Sequence, residues 1–352
     1  MRPALGAFFL SLLIMVCARS TAAHDPITTK VTFAREIRAI LSARCASCHA
    51  AGGSAPMALT TYEEVRPWAR GIKEQVLARR MPKWHAARGF GAFKNDPSLT
   101  PLEMALITSW VDGGLPRGAA TTGATGARGA MGAKGAGAKG ADGATGATRA
   151  TGAKGAVSAI VAAGASEGVR RGPGRWVSAW SFEPGDPLIA SATVTSDNGV
   201  VGTWVAGDAE IRMPAGTAIR VTGSVRVQVQ RRAAADYEAP FVATRSVLRF
   251  TTRLGPVRRV WSERIECGAA RTGRAAELLA VRPLLAAGGS ARTWLERTGA
   301  TKTIVGWFRD FDPAYARTYW LARPADFGAD ARLLSDAPCT AELTLATHPQ
   351  YR

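Results

Sequence analysis

Hydrophobic and polar positions change their period twice along the chain. From Thr28 to Arg117 the spacing is helical. Phe33, Ile37, Ile40 and Leu41 fall at i, i+4, i+7 and i+8, so residues 32–42 present one apolar face. Thr61-Tyr62-Glu63-Glu64 has the form of a capping box and opens a second helix, which runs past Pro67 to Arg80. Thr100-Pro101-Leu102-Glu103 opens a third in the same way, with proline at the first helical position, and Gly113-Gly114 stops it. Helices this short need a shared core.

From about Trp176 the period becomes two. In Arg220–Gln230, Val221, Val225, Val227 and Val229 face one way while Arg220, Thr222, Arg226, Gln228 and Gln230 face the other. Ala190–Thr195, Val200–Val205, Val247–Thr252, Val257–Trp261, Thr303–Phe308, Thr318–Leu321 and Glu342–Thr347 read as further strands, with Gly, Pro and Asp between them. Ala275–Arg282, stopped by Pro283, and Ala291–Arg297 read as short inserted helices. The aromatic and charged run from Trp307 to Arg323 reads as core aromatics with Arg–Asp pairs at strand ends, or as a partner-binding patch.

Between these regions lies Gly-Ala-Xaa sequence. Glycines fall at Gly123, Gly126, Gly129, Gly132 and Gly135, then slip register to Gly137, Gly140, Gly143 and Gly146. Glycine at every third residue invites a collagen reading. The register slip, the lack of proline in residues 118–157 and Arg149 where a glycine is due favour a flexible linker over residues 118–174.

Residues 1–23 have the form of a secretory signal: Arg2, an apolar run from Ala4 to Val16, then Thr21-Ala22-Ala23. The expectation is a periplasmic or secreted protein with no transmembrane segment in the mature chain. The 45 Lys and Arg residues against 27 Asp and Glu give a net charge of +18. Export argues against nucleic acid as the partner of that charge, and an acidic redox partner fits it better. Of the five cysteines, Cys17 leaves with the signal. Cys267 and Cys339 remain as a pair in an oxidising compartment, where a disulfide is expected.

Cys45-Ala46-Ser47-Cys48-His49 carries the most specific chemistry in the chain. Two thiols on one turn can add to the two vinyl groups of one porphyrin, and the adjacent histidine is then aimed at the iron. The competing reading is a zinc or redox Cys-x-x-Cys pair with a chance histidine. The expected cofactor is one covalent haem c, bound by Cys45, Cys48 and His49, with His49 as proximal ligand. Met81, in the loop Met81-Pro82-Lys83-Trp84, is the first candidate for the distal ligand, with His85 and Met57 as alternatives. Thioether ligation would raise the potential, whereas His85 would give a lower-potential haem. Met104 lies inside the third helix and reads as core.

Phe33-Ala34-Arg35-Glu36-Ile37, the Cys45–His49 motif, Ala55-Pro56-Met57, Thr61-Tyr62-Glu63, Arg80-Met81-Pro82-Lys83-Trp84-His85 and Trp110-Val111-Asp112-Gly113-Gly114 together resemble a family of bacterial monohaem c-type cytochrome domains. In that family a Met-Pro-Pro-Trp loop supplies the distal ligand, and here Lys83 replaces the second proline. The resemblance also implies that the first and last helices cross beside the haem. Such domains are often fused to type II, ascorbate-dependent copper monooxygenase-like domains, which are jelly-roll sandwiches. Gly202-Thr203-Trp204-Val205-Ala206-Gly207-Asp208 and Met213-Pro214-Ala215-Gly216-Thr217 resemble the segment leading to a copper-binding strand there. The family's His-x-His pair falls on Gln230 and Arg232, and its second site falls near Ser191. After residue 174 the only histidine is His348, so no copper is expected.

The resulting expectation is a multidomain chain: an all-α cytochrome c domain over 28–117, the linker, then an antiparallel, jelly-roll-like β-sandwich over 175–352. The expected function is electron transfer, with the sandwich as a tethered partner-binding domain. A haem-linked, monooxygenase-like oxidoreductase and a haem-based sensor are the alternatives. No catalytic residue is assigned.

Overall fold

The structure is a computed structural model that describes residues 29–119, 157–161, 167–232, 244–269, 275–297, 302–328 and 330–349. The expected signal at 1–23 and most of the Gly-Ala-Xaa segment lie outside the described residues.

Thr32 caps the first helical segment by accepting the Arg35 N–H. A wide turn at Phe33–Ile37 leads into α1, Arg38–Arg44. Both expected capping boxes form, Thr61 with Glu64 and Thr100 with Glu103. The second expected helix breaks at Pro67, which has no N–H to continue the ladder. It becomes α2 (Tyr62–Val65), a tight turn at Arg66–Trp68, and α3 (Ala69–Leu77). The last helix, α4, covers Pro101–Asp112 and stops at Gly113. Phe33, Ile37, Leu41, Val65, Val76, Ile107 and Trp110 form a small buried core among these pieces.

The remainder is β structure. β1 is Val157–Val161, β2 Glu167–Glu183, β3 Ile189–Ser196, β4 Gly199–Val205, β5 Glu210–Arg212, β6 Thr217–Arg231 and β7 Ser246–Arg253. β8 is Arg258–Glu266, β9 Ala276–Leu284, β10 Ala291–Glu296 and β11 Thr303–Phe308. β12 is Tyr319–Phe327, β13 Arg332–Ser335 and β14 Thr340–Thr347. One sheet runs β1-β7-β2-β6-β8-β14-β9-β12, with β3 on β6, β4 on β3 and β5 on β2. β6 and β8 pair in parallel over Thr217–Ile219, and the other pairings are antiparallel. A second sheet runs β11-β10-β13.

Three expectations need correction. The chain is not an all-α cytochrome domain followed by a separate sandwich. Among the described residues it is mostly β, with 42% in strands and 18% helical, and its helices are short. The segments expected to be helices at 275–282 and 291–297 are β9 and β10. In β10, Ala291, Thr293 and Leu295 are buried in strict alternation, a period of two hidden behind residues of good helix propensity. β9 lies between β14 and β12 and buries Leu278, Leu279, Ala280 and Val281 in succession. A strand covered on both faces reads as a continuous apolar run, and periodicity cannot tell it from a helix. Finally, β1 and the start of β2 fall inside the stretch expected to be linker.

The helical region is bound to the sheets by residues 84–95. The Ala87 N–H donates to the Trp307 carbonyl (2.7 Å) and the Arg309 N–H to the His85 carbonyl (2.9 Å), beside β11. A few residues on, the Lys94 N–H reaches the Trp320 carbonyl and the Ala322 N–H the Ala92 carbonyl, both 2.8 Å, beside β12. The Asn95 side chain brackets β12 by donating to the Thr318 carbonyl and accepting from the Trp320 N–H. One segment thus covers an edge of each sheet, groups that would otherwise be left unpaired. Trp84 and Phe93 pack on Tyr319 (ring centroids 4.6 and 5.3 Å), and Tyr319 packs on Phe308 (4.7 Å). Phe308, Phe311 and Tyr319 are fully buried, which places the core of the Trp307–Arg323 run inside the protein.

Cys267 at the end of β8 is joined to Cys339 just before β14, with Cα atoms 5.4 Å apart and a sequence separation of 72. Closing a loop of that size stabilises the fold by about 4 kcal/mol on the chain-entropy model. Thermal unfolding under reducing conditions should therefore show a lower Tm than under oxidising ones, and the Cys267→Ser, Cys339→Ser double variant should lose that difference. Gly91 adopts φ +80°, and a Cβ there would meet the Val305 carbonyl oxygen at 2.2 Å. Gly89, at φ +87°, has open space around it. Gly91→Ala should cost roughly 2–4 kcal/mol in urea unfolding and Gly89→Ala about 1 kcal/mol, since only the first adds a backbone clash to the strain.

Candidate functional site

The Cys-x-x-Cys-His segment leaves the C-terminus of α1 as a tight turn. The Cys45 N–H donates to the Leu41 carbonyl (2.8 Å), and the Cys48 and His49 N–H groups both turn back to the Cys45 carbonyl (3.1 and 2.9 Å). This geometry keeps both thiols and the imidazole on one short stretch of backbone. The two cysteines are half-buried and not bonded to each other. Cys45 packs against the helical core beside Met57. Burial, reinforced by the neighbouring Cys48, pushes its thiol up to about 12, so Cys45 is no reactive thiolate in the folded chain.

His49 is oriented by backbone. Its Nδ1 lies 3.1 Å from the Met57 carbonyl oxygen, a contact that needs the hydrogen on Nδ1 and leaves the Nε2 lone pair as the donor. The Leu59 N–H on the His49 carbonyl (2.8 Å) and the Ala55 N–H on the Cys48 carbonyl (3.0 Å) close the loop that delivers that carbonyl. Burial lowers the imidazole's basicity. The Met57 bond opposes that shift, and the positive charge of Arg232 adds to it.

The loop docks on the β region. Gly207, at φ +91°, lies so close that a Cβ there would meet Cys48 Sγ at 2.5 Å. Arg232, just past β6, donates from Nη2 to the carbonyls of Ser54 and Pro187. Its guanidinium also lies by the Tyr315 hydroxyl, where its charge opposes the upward shift that burial gives that phenol. Nearby, Arg317 and Asp208 form a buried ion pair. Asp208 also accepts the Val205 N–H (3.0 Å), and Arg317 donates to the Ala206 carbonyl (3.0 Å), so the turn carrying Gly207 is held from both sides. Burial raises the Asp208 carboxyl although Arg317 opposes it.

The distal candidates are not gathered in one place with the three motif residues. Met57 contributes its carbonyl on the His49 side, and its side chain packs partly buried on the helical core. Met81 is exposed and lines a cavity of about 570 Å³ with Trp84, His85, Leu99, Met104 and Arg309. The three motif residues do not line it. His85 belongs to the seam between the sheets. Its Nε2 accepts the Asp312 N–H (3.2 Å) and its Nδ1 meets the Tyr319 hydroxyl (3.2 Å), so both ring nitrogens are committed.

At the positions where the copper enzymes carry histidines, Ser191 and Gln230 face each other across β3 and β6, and Ser191 Oγ donates to Gln230 Oε1 (3.2 Å). Arg232 is turned instead to the loop after His49. Sequence reasoning missed the Met57 carbonyl, Tyr315, the Asp208–Arg317 pair and the role of Arg232. The one signal for them was the run from Gly202 to Asp208, whose glycine and aspartate form this docking turn. No described helix is long and apolar enough to cross a membrane. No protein-family model matches the chain, and no curated protein matches it.

His85 gives the fold an acid-sensitive point. Burial lowers its pKa to about 4. Asp312 and Asp310 oppose that shift, while Lys83 and Arg317 add to it. Above the unfolded value of ~6.5 the ring is neutral in both states. Between about 6.5 and 4 only the unfolded chain takes up the proton, so stability falls as pH drops through that window, by roughly 3 kcal/mol in all. Urea unfolding of His85→Gln between pH 7 and 4 should show a correspondingly shallower loss than the parent protein.

Proposed function

We propose that Cys45, Cys48 and His49 hold one covalent haem c, and that the protein is an exported electron carrier of the periplasm or extracellular space. The observation that carries this reading is the His49 ring, locked by the Met57 carbonyl with Nε2 free, beside two unpaired cysteines on the same turn. The donor set fits the group: two thiols for thioether bonds and one neutral imidazole for the iron.

The bound group would supply one-electron chemistry between Fe(III) and Fe(II). The chain's own contribution is to fix the imidazole tautomer, to bury Cys45 against an apolar core, and to hold the loop with Arg232 and the Gly207 turn. Met81 would be the second residue to hold the iron in this reading, because its side chain is exposed on a loop while both His85 nitrogens are engaged. The disulfide supports an oxidising compartment. The surplus of basic residues suits an acidic redox partner.

The test is haem content after denaturation. Chain produced with cytochrome c maturation should retain about one haem through denaturing electrophoresis and show the pyridine haemochrome of thioether-linked haem. Cys45→Ser, Cys48→Ser should abolish covalent retention, and Met81→Ala should keep the haem but lower its midpoint potential. Wild-type chain without covalent haem under those conditions would sink the proposal.

A further inference from the structure

We infer that Arg232 is a positioning cation for the proposed haem: from the β region it fixes the loop after His49 and raises the reduction potential of the iron. The inference rests on the haem reading. Its geometric basis is the reach of one side chain across two parts of the fold. The Arg232 backbone is pinned to the Leu188 carbonyl (2.8 Å), and Nη2 bridges Pro187 (2.7 Å) in the β region to Ser54 in the haem-motif loop. Ser54 immediately precedes Ala55, whose N–H holds the Cys48 carbonyl (3.0 Å). The guanidinium is therefore two hydrogen bonds from the cysteine that precedes His49.

Its charge is uncompensated among the described residues. The arginines around it are matched, Arg317 to Asp208 and Arg231 to Asp186, whereas Arg232 meets two carbonyls and the Tyr315 hydroxyl. Its Nε is buried with no partner. An arginine remains protonated at any working pH. A fixed cation held beside the proximal ligand disfavours the oxidised iron, which carries one positive charge more than the reduced form. Oxidation releases one electron to the acceptor and adds that charge to the site, so the guanidinium favours the reduced side of the couple.

The experiment compares midpoint potential and Tm for haem-loaded wild type, Arg232→Lys, Arg232→Gln and Arg232→Met. Methionine guards against a simple folding failure, because replacing a buried ion by an apolar side chain of similar size often leaves stability intact. The expected result is a downward shift of potential in the Gln and Met variants, with Lys close to wild type. Unchanged potentials in the neutral variants, with only Tm lowered, would show a purely structural arginine and overturn the inference while leaving the haem reading standing. A wild-type chain that carries no covalent haem would overturn both.

Discussion

The organisation of the protein depends on residues 84–95, a segment with a turn at 88–91 that pairs with β11 at one end and β12 at the other. Each sheet would otherwise end there in unpaired backbone groups, and unpaired groups of this kind are costly when buried. By satisfying both edges the segment ties the two sheets together. It also carries Trp84 and Phe93 into the aromatic cluster around Tyr319 and Phe308. The helical pieces are thereby attached to the β region through the core, and the contact is more than an abutment of surfaces.

That attachment sets the environment of the Cys-x-x-Cys-His turn. With the chain fixed at 84–95, the Cys-x-x-Cys-His turn rests on Gly207 and on Arg232, and the Asp208–Arg317 pair stiffens the turn that carries Gly207. The same constraint decides the fate of His85. A histidine four residues beyond Met81 looks, along the chain, like a ligand in reserve. In the fold its two nitrogens complete the seam, one to Tyr319 and one to the Asp312 N–H, and burial keeps the ring neutral. One stretch thus separates the two candidates: Met81 stays on the loop before it, and His85 is consumed by it.

Local chemistry was legible in the sequence where a short stretch decides the outcome. The capping boxes at Thr61 and Thr100, the stop at Gly113 and the alternation of β6 all formed as the residues required. Cys267 and Cys339 are joined, as expected of the pair left once the other three cysteines were assigned. Errors arose where the deciding neighbour is distant in sequence. β9 was misread because both of its faces are covered: Leu279 enters one core cluster while Leu278 and Val281 enter another, which erases the period of two. β10 was misread because alanine, leucine, arginine and glutamate favour helix until pairing with β11 and β13 overrides that preference.

The sequence by itself determined the Cys45–His49 turn, its helical lead-in, the short capped helices and the inventory of donor atoms, because each rests on contacts within a few residues. Only the tertiary structure decided that the helical part is no independent domain, that Met57 offers His49 a carbonyl, and that Arg232 crosses to Ser54. Those outcomes depend on which backbone groups remain unpaired after the sheets close. No local pattern in the chain records that.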